Sequence, residues 1–183
     1  MTDNPFVHSN RSIFMQTFRY AKPRIAIHWL AAILIVFMLA TGSLVLAELP
    51  NTAQKIGNLR IHMILGGLAG VLVLIRIGLR RIYPEPTIDA KEKLGRIGHV
   101  LLNLVILFMA MSGMLLAFQS GALDAVLFGG VLPEDFKSFT PRQVHGILSR
   151  VAMGLIAVHV LAALYHQFIV RDRLLSRMGL GAR

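Results

Sequence analysis

An all-α membrane protein, built as an antiparallel bundle of four transmembrane helices, is the fold class that this 183-residue sequence predicts. Three observations carry the prediction. The composition is 55% hydrophobic and only 15% charged, too apolar for an ordinary soluble domain. Four apolar stretches, 25–47, 61–79, 97–118 and 144–170, are each close to the ~20 residues that cross a ~30 Å hydrocarbon core. The third observation is where the basic residues fall. Segments 1–24, 80–96 and 171–183 hold 13 of the 19 Lys and Arg, whereas connections 48–60 and 119–143 hold 4. By the positive-inside rule both termini are cytoplasmic. The net charge of +10 is therefore a topology signal and not a nucleic-acid footprint, because it lies between apolar spans and forms no single patch.

Each element follows in chain order. Residues 1–24 form a polar cytoplasmic segment with Arg11, Arg19, Lys22 and Arg24. The apolar run behind it is full length and ends in Glu48-Leu49-Pro50, so it reads as a retained span and not as a cleaved signal peptide. His8 belongs to this segment and reads as solvated. Span one carries His28 and Trp29 near its start, the Trp as an interfacial anchor. Leu49-Pro50-Asn51 marks the turn into span two, which has His62 in its first turn and Arg76 near its end. Tyr83-Pro84-Glu85-Pro86 cannot continue that helix. Span three opens with His99 and carries Asn103 one turn later. The longest connection, 119–143, contains Phe128-Gly129-Gly130 and Leu132-Pro133-Glu134-Asp135 and is long enough to cover one end of the bundle. Span four holds His145, His159 and His166 and leads into a basic cytoplasmic tail, 171–183. Residues 25–170 thus form one transmembrane domain.

The histidines give that domain its chemistry. His145 and His159 are fourteen residues apart, almost four whole helical turns, so both imidazoles leave one face about 21 Å apart along the axis. Ionisable groups at such depths are costly, and their default reading is functional. The predicted topology puts His28 and His159 in the cytoplasmic half, and His62 and His145 in the outer half. Two pairs result, each from two helices at matching depth: His62 with His145, and His28 with His159. A six-coordinate haem iron needs such facing imidazoles. The chain has no cysteine, which removes disulfides, iron–sulfur clusters, thiolate-ligated haem and covalent c-type attachment. The cofactors expected are therefore two non-covalent b haems, with His28, His62, His145 and His159 on iron. A four-His zinc or copper site would need histidines at one level and carboxylates nearby, yet every acidic residue lies outside the spans.

The fourteen-residue step touches two more positions. Gly42, fourteen after His28, reaches the outer haem level, where a missing side chain leaves room for a porphyrin edge. For Gly42, Gly66, Gly67 and Gly70, close helix packing is the stronger reading. Arg76, fourteen after His62, reaches the inner level, where a haem propionate and the inner lipid phosphates are equal candidates for its partner. His99 and His166 fall at the cytoplasmic interface and border one pocket beside the inner haem; a plain interfacial role is an equal alternative for each. His166 also competes with His159 for iron, since both share a face.

Ile27-His28-Trp29-Leu30, Ile61-His62, and Arg76 followed by Arg80-Arg81-Ile82-Tyr83-Pro84-Glu85-Pro86 make a specific ordered set. Gly98-His99, His145 with His159, and Tyr165-His166 complete it. Together they resemble the bacterial cytochrome b561 family of small four-helix dihaem quinone-linked cytochromes, over about residues 25–179. The resemblance implies the same four axial ligands. It further implies electron transfer across the inner membrane, either as a superoxide oxidase passing electrons to ubiquinone, or as a membrane anchor serving a periplasmic dehydrogenase or hydrogenase. The first is preferred, with ubiquinone near His99 and His166. Short tails and connections leave little docking surface for a partner protein, and Lys55, Arg60, Lys137 and Arg142 at the outer mouth suit an anion. Glu134 and Asp135 share that mouth. No catalytic residue is assigned, and the family pattern leaves Arg150 in span four without a role.

Overall fold

The structure is a computed structural model that describes residues 19–84, 90–172 and 174–180. Within them the regular elements are all helical. Pro23 opens α1, Lys22–Thr41, at a position where a missing backbone N–H is harmless. A π-helical turn, Gly42–Leu46, extends it. The long helix α2 spans Ala53–Ile82 and α3 spans Ala90–Gln119. A short helix α4, Ala122–Phe128, lies in the long connection, ahead of a 3-10 turn at Phe136–Ser138. Helix α5 spans Thr140–Tyr165, carries Pro141 in its first turn and runs into a second π-helical turn, His166–Val170. A last turn, α6, covers Leu174–Arg177.

Four of these helices are long and apolar enough to cross a membrane. They outrun the apolar stretches of the sequence. At ~1.5 Å per residue the 30-residue α2 is about 45 Å long, so its ends stand beyond a ~30 Å core. Large apolar side chains point outward along all four, among them Ile33, Leu44, Ile64, Leu74, Phe118, Val158 and Leu161. Such a surface suits lipid as solvent.

Both ends of the described chain meet at one end of the bundle, here the terminal end. Tyr20 N donates to Arg177 O at 3.2 Å, and Trp29 Nε1 donates to Met178 O at 3.0 Å. Arg24 Nη1 reaches Tyr83 O at 2.8 Å and ties the start of α1 to the end of α2. At the opposite, distal end the long connection folds down as a cap. Ala122, Ala125 and Leu132 are buried there against Ile56, Leu59 and Phe136. Gly121 and Gly129 flank α4 with φ of 70° and 79°, a backbone region that side-chain-bearing residues rarely enter, which keeps α4 short.

The core is one layer thick. Leu39, Val73, Ile106 and Ala152, one from each long helix, pack together at mid-bundle. Ala152 lies seven residues from both His145 and His159, so this plug separates the two ends of α5. Helix α5 packs chiefly on α3, while α1 and α2 hold mainly to each other and, through α2, to α3. Few close backbone approaches join α5 to α1 or α2. That opening is where the histidines lie.

Candidate functional site

Two imidazole pairs face each other across the gap. The His28 and His159 ring centroids are 6.3 Å apart with planes inclined at 68°, and those of His62 and His145 are 6.2 Å apart at 70°. Two imidazole nitrogens held ~2.0 Å from one metal, with each ring centroid about 1.1 Å further out, put coaxial centroids ~6.2 Å apart. The angle between the planes is free, since each ring turns about its own metal–nitrogen bond. Both pairs therefore have the separation that an iron between them requires.

The hydrogen bonds around His145 add to the fit. Its Nδ1 lies 3.0 Å from Met109 O and 3.2 Å from Ser112 Oγ, and Ser112 Oγ donates to the same carbonyl at 2.8 Å. A carbonyl only accepts, so Nδ1 carries the proton and Nε2 keeps its lone pair, the form a metal needs. At His28 the buried Nδ1 has no hydrogen-bond partner. An orphaned buried polar atom costs about 1–3 kcal/mol, so the site favours a further group beside this ring.

Glycines seat the distal rings. A Cβ at Gly42 would stand 3.1 Å from His62 Cε1, and one at Gly113 would stand 3.3 Å from His145 Cε1. Gly42 thus makes room for the histidine itself, where the sequence suggested helix packing or a porphyrin edge. Gly70 does meet a neighbouring helix, with Ala110 Cβ 3.3 Å from its Cβ position, and Gly66 faces Met38 Cε at 3.5 Å. At Gly67 nothing lies within 4 Å, so it packs no helix. Gly113 was missed from sequence, yet it is fourteen residues after His99, as Gly42 is after His28. The same step applied to span three would have found it.

At the terminal end, where the distal level has its glycines, the same step places His28 and His99. The His99 ring meets His159 edge to face, with centroids 5.1 Å apart. That is too close for a metal between them, so His99 steadies the flank of His159. His166 turns elsewhere. Its Nδ1 lies 2.6 Å from Asp172 Oδ2, brought back by a left-handed Arg171 with φ of 60°. Asp172 was not singled out from sequence, because only the turn after α5 folds it onto His166. No hydrogen bond or ring contact joins His99 to His166 among the described residues, although their helices are close neighbours.

One arginine attends each pair. The charge of Arg76 is felt by His28 and His159, and that of Arg142 by His62 and His145. The other basic residues expected at the distal mouth have structural partners. Lys55 Nζ donates to Leu49 O at 2.8 Å beside the Phe136 ring, and Arg60 grips Val126 O through Nε at 3.1 Å and Nη2 at 2.6 Å. Arg60 thereby ties the cap to α2. Lys137 and Arg142 remain open to the mouth and line a cleft there.

Comparison with known proteins places the chain in a family. The family model of the prokaryotic cytochrome b561 proteins matches residues 19–181. A probable superoxide oxidase, CybB, of Yersinia pestis is 27% identical over 170 residues, covering 87% of this chain and 95% of the relative. Cytochrome b561 homolog 1 of Escherichia coli K12 is 25% identical over 171 residues, covering 87% and 96%. Cytochrome b562 of Cereibacter sphaeroides is 27% identical over 165 residues, covering 87% and 94%. No solved structure matches the chain. Haem b is the cofactor that a b-type cytochrome implies, and the residues present fit it. The chain belongs to the prokaryotic cytochrome b561 family and transfers electrons as a membrane cytochrome.

Proposed function

We propose that this chain is a dihaem superoxide:ubiquinone oxidoreductase of the bacterial inner membrane, with both termini in the cytoplasm. The observation that carries the reading is the pair of cross-gap imidazole pairs, with ring centroids 6.2 and 6.3 Å apart. In this reading His62 and His145 hold the outer haem, and His28 and His159 the inner one. Bound there, haem supplies one-electron carriers at two depths of the bilayer. The chain's own residues do the rest. Met109 and Ser112 fix the His145 tautomer, and His99 steadies His159. Arg76 offers a cation for a propionate at the inner level.

At the outer mouth, Lys137 and Arg142 make the approach favourable for a small anion such as superoxide. Each superoxide gives up one electron and departs as dioxygen. At the inner end, ubiquinone takes two electrons and two protons to become quinol. His166, backed by Asp172, can hold a proton at Nε2 and pass it to a quinone oxygen. The name of the Yersinia relative supports superoxide as donor.

The test is reconstitution of the purified chain in liposomes containing ubiquinone, with superoxide generated outside. Superoxide alone should reduce the haem bands and yield quinol, at a rate that falls with salt. If the bands stay oxidised under superoxide but are reduced by a co-purifying dehydrogenase or hydrogenase, the chain is instead a membrane anchor for that partner.

A further inference from the structure

Arg150 interrupts an otherwise apolar stretch of α5, and electron transfer makes no use of it. It lines a cleft of about 290 Å³ at the distal end with Lys137, Arg142, Gln143, Gly146 and Ile147. The centre of the cleft is Gly146. A Cβ there would lie 3.1 Å from Arg142 Nη1 and 4.0 Å from Arg150 Nη1. One guanidinium therefore reaches down the helix and the other up it, and both close over the notch that the missing side chain leaves. Lys137 comes in from the preceding connection. None of the three cationic heads pairs with a carboxylate among the described residues. Converging like charges repel one another, and an anion between them adds an attraction to each head that offsets that repulsion. The first turn of α5 also carries no acidic residue to neutralise these cations.

Depth decides which anion. The span Thr140–Val170 has 31 residues, so at ~1.5 Å each it exceeds a ~30 Å core by about 8 Å at either end. The hydrocarbon boundary then falls about level with His145. The Arg150 Cα sits roughly 7 Å below that boundary, the distance an extended arginine spans when it snorkels. Its head and that of Arg142 thus meet over Gly146 at the hydrocarbon boundary, next to the headgroup layer that holds the lipid phosphates. Below the cleft the helix presents Ile147, Val151 and Val158, with exposures of 53%, 43% and 65%. These form an apolar track that suits acyl chains.

We propose that this cleft is a binding site for the phosphate of an anionic phospholipid in the distal leaflet, held by Arg142, Arg150 and Lys137, with its chains along α5. The inference goes beyond the electron-transfer reading and gives Lys137 and Arg142, the cations placed there on the path of superoxide, a second anionic partner. It is tested on the full haem-loaded chain, delipidated in detergent and titrated in native mass spectrometry with three probes: phosphatidylglycerol, diacylglycerol with the same chains, and inorganic phosphate. Phosphatidylglycerol should bind and diacylglycerol should not. Arg150→Gln should weaken phosphatidylglycerol about tenfold, the effect of one charge-assisted contact, and Arg150→Lys should retain most of the affinity. Gly146→Leu, which fills the notch without removing charge, should also weaken it. Parent-like binding by both Arg150→Gln and Gly146→Leu overturns the proposal. So does inorganic phosphate that displaces the lipid at equal concentration, since the site then takes a free anion. Loss of a haem band in Arg150→Lys and Arg150→Gln alike would assign the guanidinium to a haem carboxylate and equally overturn the lipid.

Discussion

Gly42 and Gly113 offer a quantitative test of how the distal histidines are held. The perturbation is a single methyl group. At Gly42 the new Cβ would stand 3.1 Å from His62 Cε1, and at Gly113 it would stand 3.3 Å from His145 Cε1. Carbon–carbon contacts settle near 3.5–4.0 Å, so the His62 ring must retreat by roughly half an ångström and the His145 ring by somewhat less. Metal sites tolerate displacements of about 0.5 Å before their geometry fails. Two stability terms oppose each other. Replacing a mid-helix Gly by Ala gains roughly 0.5–1 kcal/mol, whereas overpacking costs about 1–3 kcal/mol. Gly42→Ala should therefore be destabilised by about 1 kcal/mol, and Gly113→Ala should be near neutral. Gly67→Ala has only the favourable term, because nothing lies within 4 Å of its Cβ position. Gly42→Leu, which cannot be absorbed by a small shift, should lose the distal haem and keep the other. The assay is haem per chain by pyridine haemochrome, with thermal midpoints in detergent. Two haems with parent spectra in Gly42→Leu would falsify the seating argument. A Gly67→Ala midpoint as low as that of Gly42→Ala would refute the ordering.

Further outcomes follow from the same geometry. His62→Ala and His145→Ala should each remove mainly the distal haem, and His28→Ala and His159→Ala the other, while His166→Ala keeps both; spectral haem counts check this, and loss of a haem in His166→Ala with retention in His159→Ala would reassign the ligand. Asp172→Asn, which removes the carboxylate 2.6 Å from His166 Nδ1, should slow quinone reduction while reduction of the haems by the outer donor stays fast, so that reduced haem accumulates in turnover. Parent-rate quinone reduction in that variant would move the proton route away from His166. Alkaline phosphatase fused after Arg183 should be inactive if the terminal end is cytoplasmic, and activity would invert the sides assigned to both haems.

The helices and the histidine levels were legible in the sequence because both depend on the helical repeat, which is local. Fourteen residues bring a side chain back to nearly the same face whatever surrounds the helix. The step from His145 to His159, from His28 to Gly42 and from His62 to Arg76 could therefore be read without coordinates, and so could the depth of each. Applied to His99 it also reaches Gly113, a position left unread because a glycine in an apolar span more commonly marks close helix packing.

Tertiary structure decided what lies beside those positions. Whether Gly42 faces a neighbouring helix, a cofactor or the ring of His62 depends on the azimuth at which α1 meets α2, which no periodicity within either helix sets. That Met109 offers its carbonyl to His145 depends on how α5 settles on α3. The same docking puts His99 against the side of His159. Asp172 is a charged residue in a basic tail until a left-handed turn folds it back onto His166. The basic residues of the distal mouth make the point most directly. By composition Lys55, Arg60, Lys137 and Arg142 are one cluster. In the folded chain Lys55 is held by the carbonyl of Leu49 and Arg60 by that of Val126 in the cap, and the last two remain free to join Arg150 over Gly146. Charge is a property of the residue, but a cation is free to bind an anion only where its neighbours leave it unpaired, and those neighbours are brought by distant parts of the chain.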